Sequence, residues 1–357
     1  MFRLAKRDDL TKTQIMMIRL SSVFLGFIVM SLFFVGLGKN PIDVYKAMLE
    51  GCFGSPYRIK ETIRLMIPLA IISLGLIIAF KMKFWNIGAE GQILMGAMGA
   101  SYVALNFHTL PKVLVLLLMI IASIVCGGIW SMIPAFFKSK YATNETLFTL
   151  MLNYIALKWV IFLQYGPWKD PKAFGFPKVP NFEDSALLPQ IGGLHIGWIF
   201  LLILMAAIYI MMHKSKFGYE ISVIGESENT ARYAGIHVSK ITLKAIFLSG
   251  GIAGLVGMIQ VSGVSSTLNY EISAGMGYTA IIVTWLANMK IAFIPIVAFL
   301  FAVLSQGASY IQTAFQIPQS AAEILQGIIL LFALGGEFFI HYKIYPVHKD
   351  KASKEVA

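Results

Sequence analysis

Charged side chains are scarce in this chain. Asp, Glu, Lys and Arg make up 13% of its 357 residues, whereas hydrophobic residues make up 57%. Soluble domains carry roughly 25% charged residues, and the mean hydropathy here is +0.74. This composition excludes an ordinary soluble domain and indicates a polytopic membrane protein. The net charge of +11 is explained by basic residues collecting in cytoplasmic loops, so we expect no nucleic-acid partner.

Cysteines and catalytic motifs are also scarce. Cys52 and Cys126 lie in a loop and in an apolar run, which predicts neither a disulfide nor a metal site. The sequence has no HExxH, no histidine pair at four-residue spacing and no GxSxG. The GxxxxGK(S/T) phosphate loop is absent as well, so we expect no catalytic residue, no cofactor and no ATP hydrolysis in this chain. These absences argue against an intramembrane enzyme.

Long apolar runs are what the sequence does contain. Each is long enough to cross about 30 Å of hydrocarbon as a helix. They predict an all-α fold with ten transmembrane spans, or nine if the shortest does not cross. The predicted parts are a cytoplasmic segment 1–17, one transmembrane domain 18–340 and a cytoplasmic tail 341–357. The spans are 18–37, 61–80, 90–106, 112–137, 144–165, 196–213, 241–262, 277–289, 291–313 and 320–340.

Basic residues set the expected orientation. With a cytoplasmic N-terminus, 19 of the 29 Lys and Arg residues fall in inner segments, as the positive-inside rule favours. We therefore expect both termini in the cytoplasm. The outer loop, residues 166–195, contains five prolines, which exclude a long helix. This loop is either a docking surface for an outer partner or a plain connection.

Two further patterns concern the packing of the spans. The span at 277–289 is short, and Asn288 and Pro295 interrupt the chain before the next one, which predicts a broken or re-entrant segment. Gly250 and Gly254 form a GxxxG pair, the pattern of helices that pack closely in membranes.

Polar side chains within the spans are candidates for a solute path, because such groups are costly in a membrane and are held for a function or a structural pair. Glu90, bracketed by glycines, either binds substrate or closes hydrogen bonds with neighbouring backbone. The uncharged polar residues within the spans, such as Asn153 with Tyr154 and Gln306 with Tyr310, either line a path or form hydrogen bonds with neighbouring helices. An amide beside an aromatic ring would suit a base with a sugar attached. The candidate path residues are Asn86, Glu90, Gln92, Asn153, Tyr154, Gln306 and Tyr310.

The longest polar interruption that carries both lysines and an arginine is residues 214–240, which we call the coupling loop. Within it, Ser227 can cap a short helix that carries Glu228 in its first turn and Arg232 in its last, and Gly235 can end that helix. A helix of barely two turns is marginal in water. The segment is therefore either an ordinary solvated loop or a helix that a soluble partner supports.

Four stretches resemble the permease subunits of bacterial ABC importers in the branched-chain amino acid and ribose permease superfamily. In particular, they resemble nucleoside permeases that work with basic-membrane-protein-type binding lipoproteins. The stretches are FWNIGAEGQILMGA (84–97), TNETLFTLMLNYIA (143–156), GPWKDP (166–171) and GYEISVIGESENTARYAGI with SGGIAGLVG (218–257). The resemblance covers most of the chain from about Lys60 onward.

The resemblance implies a subunit of a multi-chain importer in the bacterial cytoplasmic (inner) membrane. Two permeases, which are expected to be different chains, would form the path. Two ATPase subunits would use ATP and Mg beneath them, and a lipoprotein would deliver solute from outside. In the family, the segment matching Glu220 to Ile236 is the coupling helix. The residues that this implies for the ATPase contact are Glu220, Gly225, Glu226, Ser227, Glu228, Asn229, Ala231, Arg232, Tyr233 and Gly235.

The implied function is the transmembrane path for nucleosides, moved by a partner ATPase through the coupling helix. The alternative cargoes are a simple sugar such as ribose and branched-chain amino acids. An ion-driven secondary transporter is the competing class, but it would want paired acidic residues mid-membrane, and only Glu90 and Glu323 qualify. The stretch 284–289, which contains Trp285, departs from the family's small-residue pattern, so the shape of the path there is an open point.

Overall fold

The computed structural model describes residues 2–6 and 10–346 and consists mainly of α-helices. The helices are α1 (Lys12–Gly36), α2 (Pro41–Phe53), α3 (Pro56–Lys81), α4 (Ala89–Asn106), α5 (Lys112–Tyr141), α6 (Glu145–Tyr165), α7 (Gly197–Lys214), α8 (Lys216–Glu226), α9 (Glu228–Tyr233), α10 (Val238–Gln260), α11 (Met276–Leu286), α12 (Ile294–Phe315) and α13 (Gln319–His341). The predicted all-α fold is confirmed.

Two small antiparallel sheets accompany the helices. Strand β1 (Phe2–Lys6) pairs with β4 (Tyr342–Pro346), and β2 (Gln190–Ile191) pairs with β3 (Leu194–His195). The sequence analysis did not predict either sheet. Part of the predicted cytoplasmic tail, from residue 347 on, lies outside the described residues.

Each of the ten predicted spans overlaps one of the described helices, and α2, α8 and α9 are additional. In the described part of the chain, seven helical stretches are long and apolar enough to cross a membrane. The chain is therefore a multi-pass membrane protein. Helix α11 has only 11 residues, in keeping with the predicted break. The count of ten crossings and the cytoplasmic location of both termini stay predictions.

The chain forms two compact units, residues 1–54 with 304–357 and residues 55–303, so the single domain 18–340 stays a prediction. In the first unit, α1 packs on α13. Arg19 Nε lies 2.6 Å from Glu337 Oε1, and Gly336 lies against Ser22. The hydroxyl of Tyr45 on α2 donates to a backbone carbonyl of α1 at 2.6 Å.

The second unit is built around three closely packed helices, α4, α5 and α10. Gly254 of α10 contacts the backbone of α5 at Ser123, and Gly96 of α4 lies directly on Gly254. Gly250 lies against Ser131 of α5. A Cβ atom at any of these glycines would overlap its neighbour. The close packing predicted from the GxxxG pair is therefore confirmed, and it joins α10 to the middle of α4 and to α5.

Candidate functional site

The carboxylate of Glu90 holds the start of α11. Glu90 is the second residue of α4 and is only 9% exposed. Its Oε1 accepts a hydrogen bond from the N–H of Gly275, and its Oε2 accepts one from the N–H of Gly277, both at 2.8 Å. The first N–H groups of a helix lack intrahelical acceptors, and a negative charge there complements the helix dipole. Glu90 therefore acts as an N-terminal cap for a helix that lies far away in the sequence.

Two glycines make this cap geometrically feasible. Gly275 has a φ of +75°, a left-handed conformation that L-residues rarely adopt. Gly277 lies so close to the backbone of Glu90 that a Cβ atom would overlap it. The backbone of α11 can approach α4 at Gly277 only because that residue has no side chain, whereas Gly275 supplies the left-handed turn before the helix.

Asn153 joins three elements beside this cap. Its Oδ1 accepts from the N–H of Gly91 at 2.9 Å, and its Nδ2 donates to the carbonyl of Ile87 at 3.0 Å. The same Nδ2 lies 3.1 Å from the hydroxyl of Tyr278 on α11. Asn153 is 4% exposed, and these bonds use both N–H groups and one of the two acceptor lone pairs of the buried amide. It therefore couples α6 to the starts of α4 and α11.

Asn86 and Gln92 shape the turn that leads into α4. The Oδ1 of Asn86 accepts from the N–H of Gly88 at 3.1 Å and from Nε2 of Gln92 at 2.9 Å. Nδ2 of Asn86 donates back to Oε1 of Gln92 at 3.2 Å. Both side chains are buried. The structure thus brings four predicted residues together in one buried cluster, which we call the α4 knot: Asn86, Glu90, Gln92 and Asn153.

Tyr154 lies beside the α4 knot but points away from it, since it is 61% exposed. Three aromatic residues that the site prediction did not include are also partly exposed in this unit: Tyr278, Trp285 and Trp85. The rings of Trp85 and Trp285 stack with centroids 5.3 Å apart and planes 8° apart. A signal for two of them was available, because residues 278 and 285 are seven positions apart and so share a helix face.

Gln306 and Tyr310 belong to the other compact unit. Both lie on α12 and are partly buried. The ring of Tyr310 packs directly on Gly51 of α2. These two residues are not part of the α4 knot. A role for any of the seven candidates in lining the solute path stays a prediction.

The helix predicted in the coupling loop is present as α9. Ser227 caps it by accepting from the N–H of Thr230 at 3.3 Å, and Gly235 follows it with a φ of +75°. One face of α9 packs against the rest of the chain, as the full burial of Ala231 shows. The opposite face is open: Tyr233 is 94% exposed, and Arg232 is exposed as well.

Helix α8 connects α9 to the transmembrane helices. Its residue Gly225 is buried against the carbonyl of Lys81 at the end of α3, so closely that no Cβ atom would fit. Glu220 is largely covered and lies 3.8 Å from the ammonium of Lys216. Glu226 and Asn229 are exposed. The coupling loop is therefore half embedded in its own chain and half available to a partner.

A polar cleft of about 800 Å³ lies beside α9, and we call it the coupling cleft. Its walls come from the turn before α4, the junction of α5 and α6, and the start of α10. Lys138 in this cleft forms an ion pair of 2.5 Å with Glu145. The residues on the α9 side are Glu228 and Arg232, which lie 3.9 Å apart.

The outer loop packs on the π-helical turn that follows α10. As the prolines predict, it forms only a short 3₁₀ turn and the β2–β3 hairpin. In the hairpin, outside the helices, Nδ1 of His195 accepts from the N–H of Gly197 at 3.2 Å. The proton of the neutral ring therefore lies on Nε2, which has no partner among the described residues. Burial and the positive charge of Arg64 lower the pKa of His195 to about 4.

Comparisons with known proteins connect this arrangement to a family. The family model described as "Branched-chain amino acid transport system / permease component" matches residues 58–334. The chain is 31% identical to the glucose ABC transporter permease protein TsgB13 of Haloferax volcanii, over 87% of this chain and 84% of the relative.

Two further relatives carry nucleosides in their names. The guanosine ABC transporter permease protein NupP of Bacillus subtilis is 29% identical, over 89% of this chain and 92% of its own length. The nucleoside ABC transporter permease protein NupB of Lactococcus lactis is 27% identical, over 96% of this chain and 97% of its own. With a family match that covers most of the chain, this protein belongs to the branched-chain amino acid transport system permease family and is a membrane-spanning ABC transporter permease.

Proposed function

We propose that this chain forms the translocation path for nucleosides in an ATP-driven importer of the bacterial cytoplasmic membrane. The observation that carries the proposal is the partly exposed, uncharged ring of Tyr278, whose hydroxyl accepts from the buried amide of Asn153 at 3.1 Å. That hydroxyl can still donate to the edge of a base or to a ribose hydroxyl, and the ring offers a stacking face. Two nearly full-length relatives named for guanosine and nucleosides support this cargo.

The chemistry of Glu90 argues against an ion-driven carrier. An acidic residue that couples transport to protons or sodium must exchange partners during the cycle. Both oxygens of Glu90 are bound to backbone N–H groups of α11. This carboxylate therefore serves the position of a helix, and we assign the energy source to partner subunits.

The partners that we propose are two ATPase subunits, a second and different permease chain, and an extracytoplasmic substrate-binding lipoprotein. ATP and Mg would bind to the ATPases, with no cofactor on this chain. The open face of α9, with Arg232 and Tyr233, would contact an ATPase. Its buried face at Ala231 and the tight contact of Gly225 with Lys81 would pass the movement to α3. Such a rigid link suits a two-state switch between outward and inward access.

A simple sugar is the second candidate cargo, because the relative from H. volcanii is named for glucose. A competition assay on the complete transporter distinguishes the two. Uptake of a labelled nucleoside should be blocked by unlabelled nucleosides and unaffected by glucose or ribose. Glucose or ribose uptake without nucleoside uptake would refute the proposed cargo.

A further inference from the structure

A nucleoside presents two parts to a path, a flat base and a hydroxylated sugar. Resting on the proposed function, we propose that Tyr278, Trp285 and Trp85 form an aromatic wall on which the base stacks as the solute crosses. The wall assigns the base, rather than the sugar, as the part that this permease recognises.

Helix α11 is too short to cross a whole membrane. Its 11 residues span about 16 Å at 1.5 Å per residue, roughly half of the hydrocarbon thickness. It lies along the second half of α3: the hydroxyl of Ser73 donates to the carbonyl of Ala280 at 3.1 Å, and that of Thr284 donates to the carbonyl of Ser73 at 3.3 Å. Interrupted helices of this kind commonly border solute sites in transporters.

The segment before α11 is irregular and is partly covered by protein. Residues 266–275 contain two left-handed non-glycine residues, Ser266 and Ala274, whereas Leu268 and Ile272 are 1% and 7% exposed. Irregular backbone at membrane depth is tolerated only where protein covers it or where it lines a cavity. Here the approach to α11 is buried at Leu268 and Ile272 and exposed at Glu271, and the face of α11 that carries Tyr278 is open.

Two features define the aromatic wall: the spacing of residues along α11 and the stacking of one pair of rings. Tyr278 and Trp285 are two turns apart on one face of α11, and each is 37% exposed. Trp85, which is 43% exposed, stacks in parallel on Trp285. The wall therefore offers ring surfaces along α11, with the Tyr278 hydroxyl bound to Asn153 at one end.

An exposed stripe on α5 in the same unit has a different composition. The open stripe of α5 repeats every four residues and is aliphatic: Val113, Leu117, Ile121, Val125 and Ile129. In the wall the three exposed side chains are instead aromatic, and each carries an N–H or O–H group. Every nucleobase has a π-face, so aromatic surfaces of this kind can stack on any of the bases. The chemistry of the wall thus matches a flat heterocycle better than acyl chains.

The end of the wall that is formed by Trp85 lies at the coupling cleft. Trp85 lines that cleft together with Arg232 of α9, and its ring also stacks on Trp285. A movement of the coupling loop would therefore reach the wall through the single turn between α3 and α4. A base stacked there would be released when Trp85 shifts.

Photolabelling tests this placement directly in the complete complex with its ATPases, second permease and binding protein. The probe is 5-iodouridine, whose C5–I bond breaks in light so that C5 joins a nearby aromatic ring with loss of HI. We expect labelled peptides that contain Met276–Leu286 or Trp85, and excess uridine should suppress the label. A label confined to other parts of the chain, in a complex that imports uridine, would overturn the wall but not the proposed function. Absence of any nucleoside uptake would overturn both.

Substitutions give an independent test. With saturating loaded binding protein, Trp285→Leu should lower nucleoside uptake about tenfold, the order of one lost base stack, and Trp285→Phe should retain most of it. The matched control is Trp159→Leu, since Trp159 is 51% exposed and lines an apolar groove elsewhere in the same unit; its uptake should stay at the wild-type level. Copurification of the partner subunits shows that each variant assembles. Equal losses for Leu and Phe at position 285, or wild-type uptake in both, would contradict the wall.

Discussion

Glu90 at the start of α4 accepts a 2.8 Å hydrogen bond from the N–H of Gly277, which lies 187 positions further along the chain. Together with the bond from Gly275, this contact fixes where α11 begins. The carboxylate therefore helps to set the orientation of α11.

Removal of the Glu90 carboxylate should loosen α11. Glu90→Ala leaves two buried N–H groups without acceptors, at a cost of about 1–3 kcal/mol for each unsatisfied group, and Glu90→Gln keeps one acceptor but loses the charge that favours a helix N-terminus. We expect thermal unfolding in detergent to show the order wild type, Gln, Ala. Glu183→Gln, at a side chain that is 65% exposed, should match the wild type. An Ala variant as stable as the wild type would show that the cap is dispensable.

Gly277→Ala should disturb the same contact from the other side. The added Cβ atom would overlap the backbone of Glu90, and backbone cannot move aside as a flexible side chain can. We expect a lower yield of folded protein and a lower melting temperature. Gly327→Ala is the matched control, because Gly327 is also helical and has open space where the Cβ would lie. Helix propensity predicts a change of less than about 1 kcal/mol there. Equal behaviour of the two variants would contradict the close approach.

The two faces of α9 should respond differently to substitution. Arg232→Glu and Tyr233→Ala change the open face, so the chain should fold normally while substrate-stimulated ATPase activity of the assembled complex falls severalfold. Ala231→Glu places a charge in a fully buried position and should instead destabilise this chain. Wild-type ATPase stimulation in both open-face variants would remove α9 from the coupling contact.

The His195 hairpin should make stability depend on pH. The pKa of His195 in the folded chain is about 4, below the ordinary value near 6.5. Between those two values the unfolded chain binds a proton that the folded chain does not, so stability falls as the pH is lowered. The loss would be fully developed below pH 4, at up to about 3 kcal/mol.

Melting temperatures measured from pH 7 to pH 4 test this expectation. His195→Asn can still accept a hydrogen bond from Gly197 but does not titrate, so its melting temperature should fall less steeply than that of the wild type. Identical slopes for the two proteins would exclude His195 as the titrating group. Arg64, whose positive charge contributes to the low pKa of His195, stays positive over the whole range.

Local signals in the sequence predict much of this structure. Ser227 and Gly235 bound α9 because capping and left-handed geometry depend on neighbouring residues alone. The GxxxG pair at Gly250 and Gly254 marks the closely packed helices for a similar reason. The span prediction did not include helix α2, because its 13 residues are too few to cross a membrane. Its start is nevertheless signalled in the sequence by Asn40 and by a proline at the first helical position.

The contacts that build the candidate site depend on distant parts of the chain. Hydropathy shows that α4 and α11 exist, but it does not show that Glu90 meets the start of α11. The two alternatives that the sequence leaves open for Glu90, substrate ligand and structural cap, differ only in that tertiary contact. Burial of Ala231 and the stack of Trp85 on Trp285 are unpredictable for the same reason, since both require knowledge of which helix ends lie together.

The central claim is that this chain forms a path for nucleosides and that partner ATPases supply the energy for transport. The most direct test is uptake of a labelled nucleoside into liposomes that contain this permease, its second permease and the two ATPases, with the loaded binding protein outside and ATP inside. We predict accumulation above the external concentration that stops when ATP is omitted or when the ATPases are left out. Accumulation by this chain alone, driven by an ion gradient without ATP, would contradict the account.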